Sequence, residues 1–256
     1  MENAFGQPQT VIVFGGTSDI SHAVTLRLVK QRARRLVLAG RSAESLAARG
    51  AELTAAGATD ISSVTFDAAR PEQAGATVAE AFDALGAPAD LVVIAVGLLG
   101  DQLAMENDAA ASAEMAAVNY SWPVAALAEI RQRLVAQGSG RILVYSSVAA
   151  IRVRRDNYLY AGAKAGLDRF CEGLADSLVD TGVSIQIVRP GMVRTKMTTG
   201  MKDVPFTTSV DECADNIVKG LGTSAGIITS PSILKWVFLV LLHLPRPIWR
   251  KLAQVK

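Results

Sequence analysis

At 256 residues, with 50% hydrophobic and only 20% charged side chains, the chain has the size and composition of one globular domain with a substantial core. Cys171 and Cys213 are too few for a disulfide framework, and with only His22 and His243 beside them no zinc-type cluster can be assembled, so no metal is expected. A net charge of +2 and an aromatic content of 5% offer neither field nor stacking platforms to nucleic acid, which is excluded as a partner.

The opening segment MENAFGQPQT lacks the basic start, apolar middle and small-residue cleavage site of a secretory signal, so the cytoplasm is the expected compartment. From there, β-branched apolar runs of strand length alternate with longer helical stretches. Strands are predicted at residues 10–14, 36–39, 61–66, 91–96, 141–146, 184–188 and 227–229. Helices are predicted at 44–56, 71–85, 109–136 and 159–179, with Gly57, Gly86, Gly138 and Gly182 near their ends, where a left-handed cap is needed. The alternation predicts an α/β fold: one doubly wound parallel sheet of about seven strands, covered by helices on both faces.

The first strand runs into Gly15-Gly16-Thr17-Ser18-Asp19-Ile20-Ser21 and then a helix, where a parallel sheet places a pyrophosphate on a helix N-terminus. The same glycines also fit a tight turn with no ligand. The second strand ends in Arg41, where an acidic residue would bind an NAD ribose and an arginine can pair with the extra phosphate of NADP; a solvated strand-end arginine is the alternative. Asp67, after the third strand, can accept from an adenine amino group or serve as an N-cap.

Further along, Tyr160 and Lys164 are four residues apart, hence on one face of a predicted helix and one turn from each other. A phenol with a pKa near 10 exchanges protons poorly at neutral pH, and a neighbouring ammonium brings it toward working range. Ser147, thirteen residues earlier, lies at the carboxyl edge of the fifth strand, where open α/β sheets bind ligands.

Taken in order, the Gly-rich turn, Asn119, Ser147, Tyr160, Lys164 and Pro190-Gly191 resemble the short-chain dehydrogenase/reductase family over residues ~10–230. The resemblance implies a Rossmann-type sheet binding NADH or NADPH. Tyr160 would be the proton donor in ketone reduction, Ser147 would polarise the carbonyl, Lys164 would grip the nicotinamide ribose and lower the tyrosine pKa, and Asn119 would anchor a relay water. The cofactor would lie along Gly15, Thr17, Ser18, Asp19, Ile20, Arg41, Asp67 and Gly97, with Pro190, Gly191, Val193 and Thr195 holding its carboxamide end beside Tyr160 and Lys164. Two glycines of the family's turn are replaced by Asp19 and Ser21, and a carboxylate at 19 is awkward beside a pyrophosphate unless it turns away. The family's Asn-Asn-Ala-Gly is Ile94-Ala95-Val96-Gly97, which removes side-chain bracing of the central sheet.

The substrate side is expected to involve Arg152, Arg154 and Arg155, a cationic loop suited to an anionic group or to a subunit contact, and Met197, in a mobile flap over residues 196–207. Residues 216–256 carry six basic and no acidic side chains, leaving −4 on residues 1–215. Within that tail the apolar run at 233–244 is roughly 18 Å long as a helix, too short to span a bilayer. The chain thus divides into a dinucleotide-binding and catalytic domain over 1–230 and an apolar, basic helical extension over 231–256. Trp236 to Leu242 leave no polar face, so the extension covers a homo-oligomer contact or sinks peripherally into a membrane surface, with Trp249 and the basic residues at headgroup depth.

Gly-Leu-Leu-Gly-Asp at 97–101, Arg-Val-Arg-Arg at 152–155 and the apolar-then-basic ending are similar to the branch that reduces polyprenyl-phosphate-linked 2-keto pentoses in cell-wall arabinan synthesis. That resemblance implies a polyprenyl-phosphate sugar as substrate, NADH as reductant and a flavin-dependent oxidase as partner. A soluble reductase of another lipid-like ketone and a non-catalytic nucleotide-sensing scaffold are the alternatives.

Overall fold

The computed structural model describes residues 6–252. Strand β1 (Thr10–Phe14) is buried at all five positions, because its alternate side chains serve different cores. Ile12 and Phe14 face one core; Val11 and Val13 face the other. Six more strands follow: β2 (Arg35–Gly40), β3 (Asp60–Thr65), β4 (Leu91–Ile94), β5 (Gly140–Tyr145), β6 (Val183–Pro190) and β7 (Ile227–Ser230). All pair in parallel in the order β3-β2-β1-β4-β5-β6-β7. The order reverses between β1 and β4, which opens a crevice at the carboxyl ends of those strands.

Helices α1 (Asp19–Lys30) and α2 (Ala43–Ala55) cover one face with α8 (Val210–Leu221). The other face carries α3 (Ala74–Leu85), α6 (Trp122–Gln137) and α7 (Tyr158–Ser177), around a cluster in which Phe66 stacks on Trp122 at 4.5 Å and Phe14 meets both rings. Gly57, Gly86 and Gly138 take positive φ at helix ends, and Gly182, also at positive φ, lies beyond the end of α7 in the turn that leads into β6.

The helix expected over 109–136 runs without a gap from Ala109 to Gln137 and changes winding once. After the short α4 (Gln102–Met105), α5 (Ala109–Ala116) passes through a π-helical turn at Ala117–Ser121 into α6. Pro123 explains part of the widening, since it has no N–H to donate one turn back and its ring clashes there. Asn119, inside the widened turn, is fully buried. After β7 the chain forms a hairpin of α9 (Ile233–His243) and α10 (Arg246–Leu252). Leu234 seats α9 on the domain, its Cδ1 lying 2.4 Å from where a Cβ on Gly191 would stand, so a side chain there would have to displace it.

Candidate active site

At the first crevice, Gly15 has φ +91°, and a Cβ there would lie 2.6 Å from the Ala95 carbonyl oxygen. Glycine lets the turn press against the end of β4. Ser18 caps α1 by accepting from Ser21 N–H, and Ser21 Oγ donates back to Gly15 O at 2.9 Å. Among the described residues, the N–H groups of Thr17, Asp19 and Ile20 have no partner. They form an open anion cradle at the start of a twelve-residue helix, which fits a dinucleotide pyrophosphate.

Asp19 does turn away. Its carboxylate pairs with Arg49 at 3.0 Å and accepts from Lys196 N–H at 2.9 Å, while Lys196 Nζ donates to Thr17 O at 2.6 Å. The replacement for a family glycine is thus neutralised, and it straps the segment after Thr195 to the phosphate turn. Arg41 is exposed at the end of β2. Asp67 is exposed as well, and its Oδ1 accepts from Ala69 N–H at 2.9 Å, closing a turn as a capping residue does.

Tyr160 and Lys164 lie on the first turns of α7. Lys164 is buried and donates to Tyr145 O at 2.9 Å and Val96 O at 3.2 Å, leaving one N–H of three. Burial pushes its ammonium down to about 8. The lysine therefore ties α7 to the ends of β4 and β5. Burial holds the Tyr160 phenol above its ordinary range, opposed by a hydrogen bond with Ser147. The expected depression by Lys164 is not the governing effect in this geometry.

Of three hydroxyls that end β5, only Ser147 faces Tyr160. Tyr145 turns into the α1/α8 core, where burial raises its phenol far above the usual value. Ser146 is buried and donates to Asp168 at 2.6 Å; Asp168 in turn holds Arg189 at 2.5 and 3.0 Å, and Arg189 reaches Glu172 at 2.9 Å. This chain of bonds from β5 through α7 to β6 was not singled out from the sequence. Its one available signal was a lone Arg inside the apolar sixth strand. Asn119 donates to Leu98 O at 2.8 Å and Met115 O at 3.1 Å and accepts from Leu98 N–H at 3.2 Å. It braces the loop after Gly97, whose own Cβ would stand 3.3 Å from Asn119 Oδ1 and 3.5 Å from Lys164 Nζ.

On the far rim, Pro190 ends β6 and Gly191 N–H donates to Ser230 O at 2.8 Å. Val193 is buried and bridges to Thr208, and Thr195 forms a reciprocal cap with Thr198. The segment between is thereby closed at its base, with Met197 48% exposed. The three loop arginines part company. Arg154 and Arg155 are exposed, whereas Arg152 donates to Leu242 O at 2.7 Å and Leu244 O at 2.8 Å and lies 5.2 Å over the Trp249 ring. Arg152 thus binds the chain's own C-terminal hairpin, whereas Arg154 and Arg155 remain open to solvent. The carbonyls at the end of α9 are unpaired within the helix and attract a cation.

Residues 9–204 match the family model described as short chain dehydrogenase. An uncharacterized oxidoreductase of Mycobacterium tuberculosis is 39% identical over 244 residues, covering 95% of this chain and 97% of that one. One from Streptomyces coelicolor is 37% identical over 252 residues, covering 98% and 99%. The fold superposes on a short chain dehydrogenase from Burkholderia cenocepacia in complex with NADP, with a TM-score of 0.81 at 19% identity over the whole of both chains. With the open phosphate cradle and the Ser147, Tyr160 and Lys164 cluster at one sheet edge, these likenesses settle the family: the chain belongs to the short-chain dehydrogenase/reductase family and is an NAD(P)-dependent oxidoreductase.

Proposed function

We propose that this oxidoreductase reduces the 2-keto group of a polyprenyl-phosphate-linked pentose, the reaction of decaprenylphosphoryl-2-keto-ribose reductase, in sequence with a flavin-dependent oxidase that makes the ketone. The observation that carries the reading is one loop, residues 151–157, between Ser147 and Tyr160. It presents Arg154 and Arg155 to solvent and is bonded through Arg152 to an apolar helical hairpin. A cationic pair and an apolar surface beside a ketone-reducing centre suit a sugar joined through phosphate to a long hydrocarbon.

A reduced nicotinamide, when bound, would supply the hydride. Thr17, Asp19 and Ile20 N–H groups would hold its phosphates, and Lys164, Val193 and Thr195 would hold its nicotinamide end. Tyr160, held protonated at neutral pH by burial, donates its proton to the ketone oxygen, and Ser147 hydrogen-bonds the same oxygen. The phenolate left behind is stabilised by Ser147 and by the Lys164 ammonium one helical turn away, which at about 8 is mostly charged at pH 7. Asn119 and the Ser146–Asp168–Arg189 chain keep the loop and strand ends in register.

The deciding assay is reduction of a polyprenyl-phosphate 2-keto pentose with NADH and with NADPH. Turnover with either supports the reading, and the preferred cofactor reports whether Arg41 selects the extra phosphate. Failure with both, alongside turnover of another lipid-like ketone, favours the soluble-reductase reading, which the exposed Met197 and Met201 also suit.

A further inference from the structure

Helix α9 is apolar on both of its faces, and only one face is covered. Leu234, Val237, Phe238 and Leu241, spaced as one stripe, are buried or half-buried toward the domain. The opposite stripe is just as apolar, yet Trp236 is 60% and Val240 64% exposed, with Ile233 and Leu239 beside them. A helix that buries one face in a water-soluble domain carries polar residues on the other. This one has only Lys235 and His243 exposed among large apolar side chains, and eleven residues are too few to cross a bilayer, as no helix among the described residues is long and apolar enough to do so.

Charge identifies what covers the open face. Lys235, Arg246, Arg250 and Lys251 are exposed around the hairpin, and residues 216–256 contain no acidic side chain. Lys256 lies outside the described residues. Two copies meeting through this face would bring cations against cations, whereas an anionic lipid surface supplies both the apolar medium and the countercharge.

The structure also tells where that surface sits relative to the chemistry. Trp249, expected at headgroup depth, turns inward: its indole N–H donates to Val153 O at 3.3 Å and its ring lies under Arg152. Arg152 binds the last carbonyls of α9 with both terminal nitrogens. Hairpin and substrate loop are therefore one unit.

We infer that the α9–α10 hairpin docks on an anionic bilayer and that Arg152 locks it to the loop between Ser147 and Tyr160, so the catalytic cleft opens at the headgroup plane. The inference deepens the proposed substrate class, since a ketone on a lipid phosphate resides at that plane. Its tests need no turnover, so docking and substrate can fail separately.

Full-length protein is sedimented with phosphatidylcholine vesicles with and without phosphatidylglycerol. Binding about tenfold tighter to the anionic vesicles is expected, and Trp236→Ser combined with Val240→Ser should weaken it by at least about tenfold. No preference for anionic vesicles, or full retention by the double variant, overturns the docking. So does a halved mass of the double variant in light scattering, which would show that a second copy covers the face.

The lock is read with Val153→Cys bearing an environment-sensitive dye. Cys171 and Cys213 are buried, with thiols pushed up to about 12 and about 11, and do not compete for label. Vesicle binding should shift the dye emission when Arg152 is present and leave it unshifted in Arg152→Ala, which still sediments with vesicles. An equal shift in both overturns the lock.

Discussion

The carboxyl ends of β5 and β6 and the C-terminal hairpin are both rich in apolar residues, yet they dispose of their polar groups in opposite ways. At the sheet edge nearly every buried polar side chain is paired: Ser146 with Asp168, Asp168 with Arg189, Lys164 with two carbonyls, Asn119 with Leu98 and Met115. The hairpin is held chiefly by Leu234, Arg152 and Trp249, and leaves a stripe of large apolar side chains in water. The contrast separates two kinds of precision. A reacting centre needs fixed atoms, so most buried polar groups there are held by several bonds, with Tyr145 Oη and Thr208 Oγ1 as exceptions. A docking surface needs only area and charge, so few bonds define it.

Tyr160→Phe breaks the catalytic side most sharply. Ketone reduction should fall by roughly 10²- to 10⁴-fold, with cofactor affinity nearly unchanged in a fluorescence titration. Retained turnover would remove Tyr160 as proton donor. Next in size, Arg189→Ala leaves Asp168 buried with its charge unmatched, and chemical denaturation should show a loss of about 3 kcal/mol. A loss under about 1 kcal/mol would mean that the buried chain does not brace the site.

The pH profile sharpens the same region. Burial lowers the Lys164 pKa to about 8, so its ammonium is present below that pH and lost above it, and with it goes support for the departing phenolate. For ketone reduction, kcat/KM should therefore turn downward near pH 8 and fall about tenfold per unit beyond it. A profile flat to pH 10 would exclude Lys164 from proton transfer. The smallest effect belongs to Asp19→Asn. Because Arg49 and Lys196 already compensate that carboxylate, cofactor affinity should change by no more than about fivefold. A gain near a hundredfold would show the charge acting unscreened on the phosphates.

Much of this was legible from residue order. The seven predicted runs became seven parallel strands, most plainly the central ones such as β1 and β4, whose burial on both faces leaves an unambiguous apolar signature. Tyr160, Lys164 and Ser147 were readable because helix spacing and the strand end place them without knowledge of distant contacts. The helix over 109–136 was read correctly in extent, but apolar periodicity does not register the π turn at Ala117–Ser121 within it. The partners of Arg152 were not legible for a different reason. Beside Arg154 and Arg155 it reads as part of a cationic loop, and only folding brings carbonyls from ninety residues downstream to it.

Residue order alone thus determined the sheet, the family and the split between an acidic body and a basic, apolar tail, since each rests on local periodicity, motif spacing or summed charge. The tertiary structure decided which polar groups are partners: Asp19 with Arg49 and Lys196, Ser146 with Asp168 and Arg189, Arg152 with the end of α9. Those pairings depend on directions and distances of a few ångströms between segments remote in sequence, and composition and spacing carry no record of them.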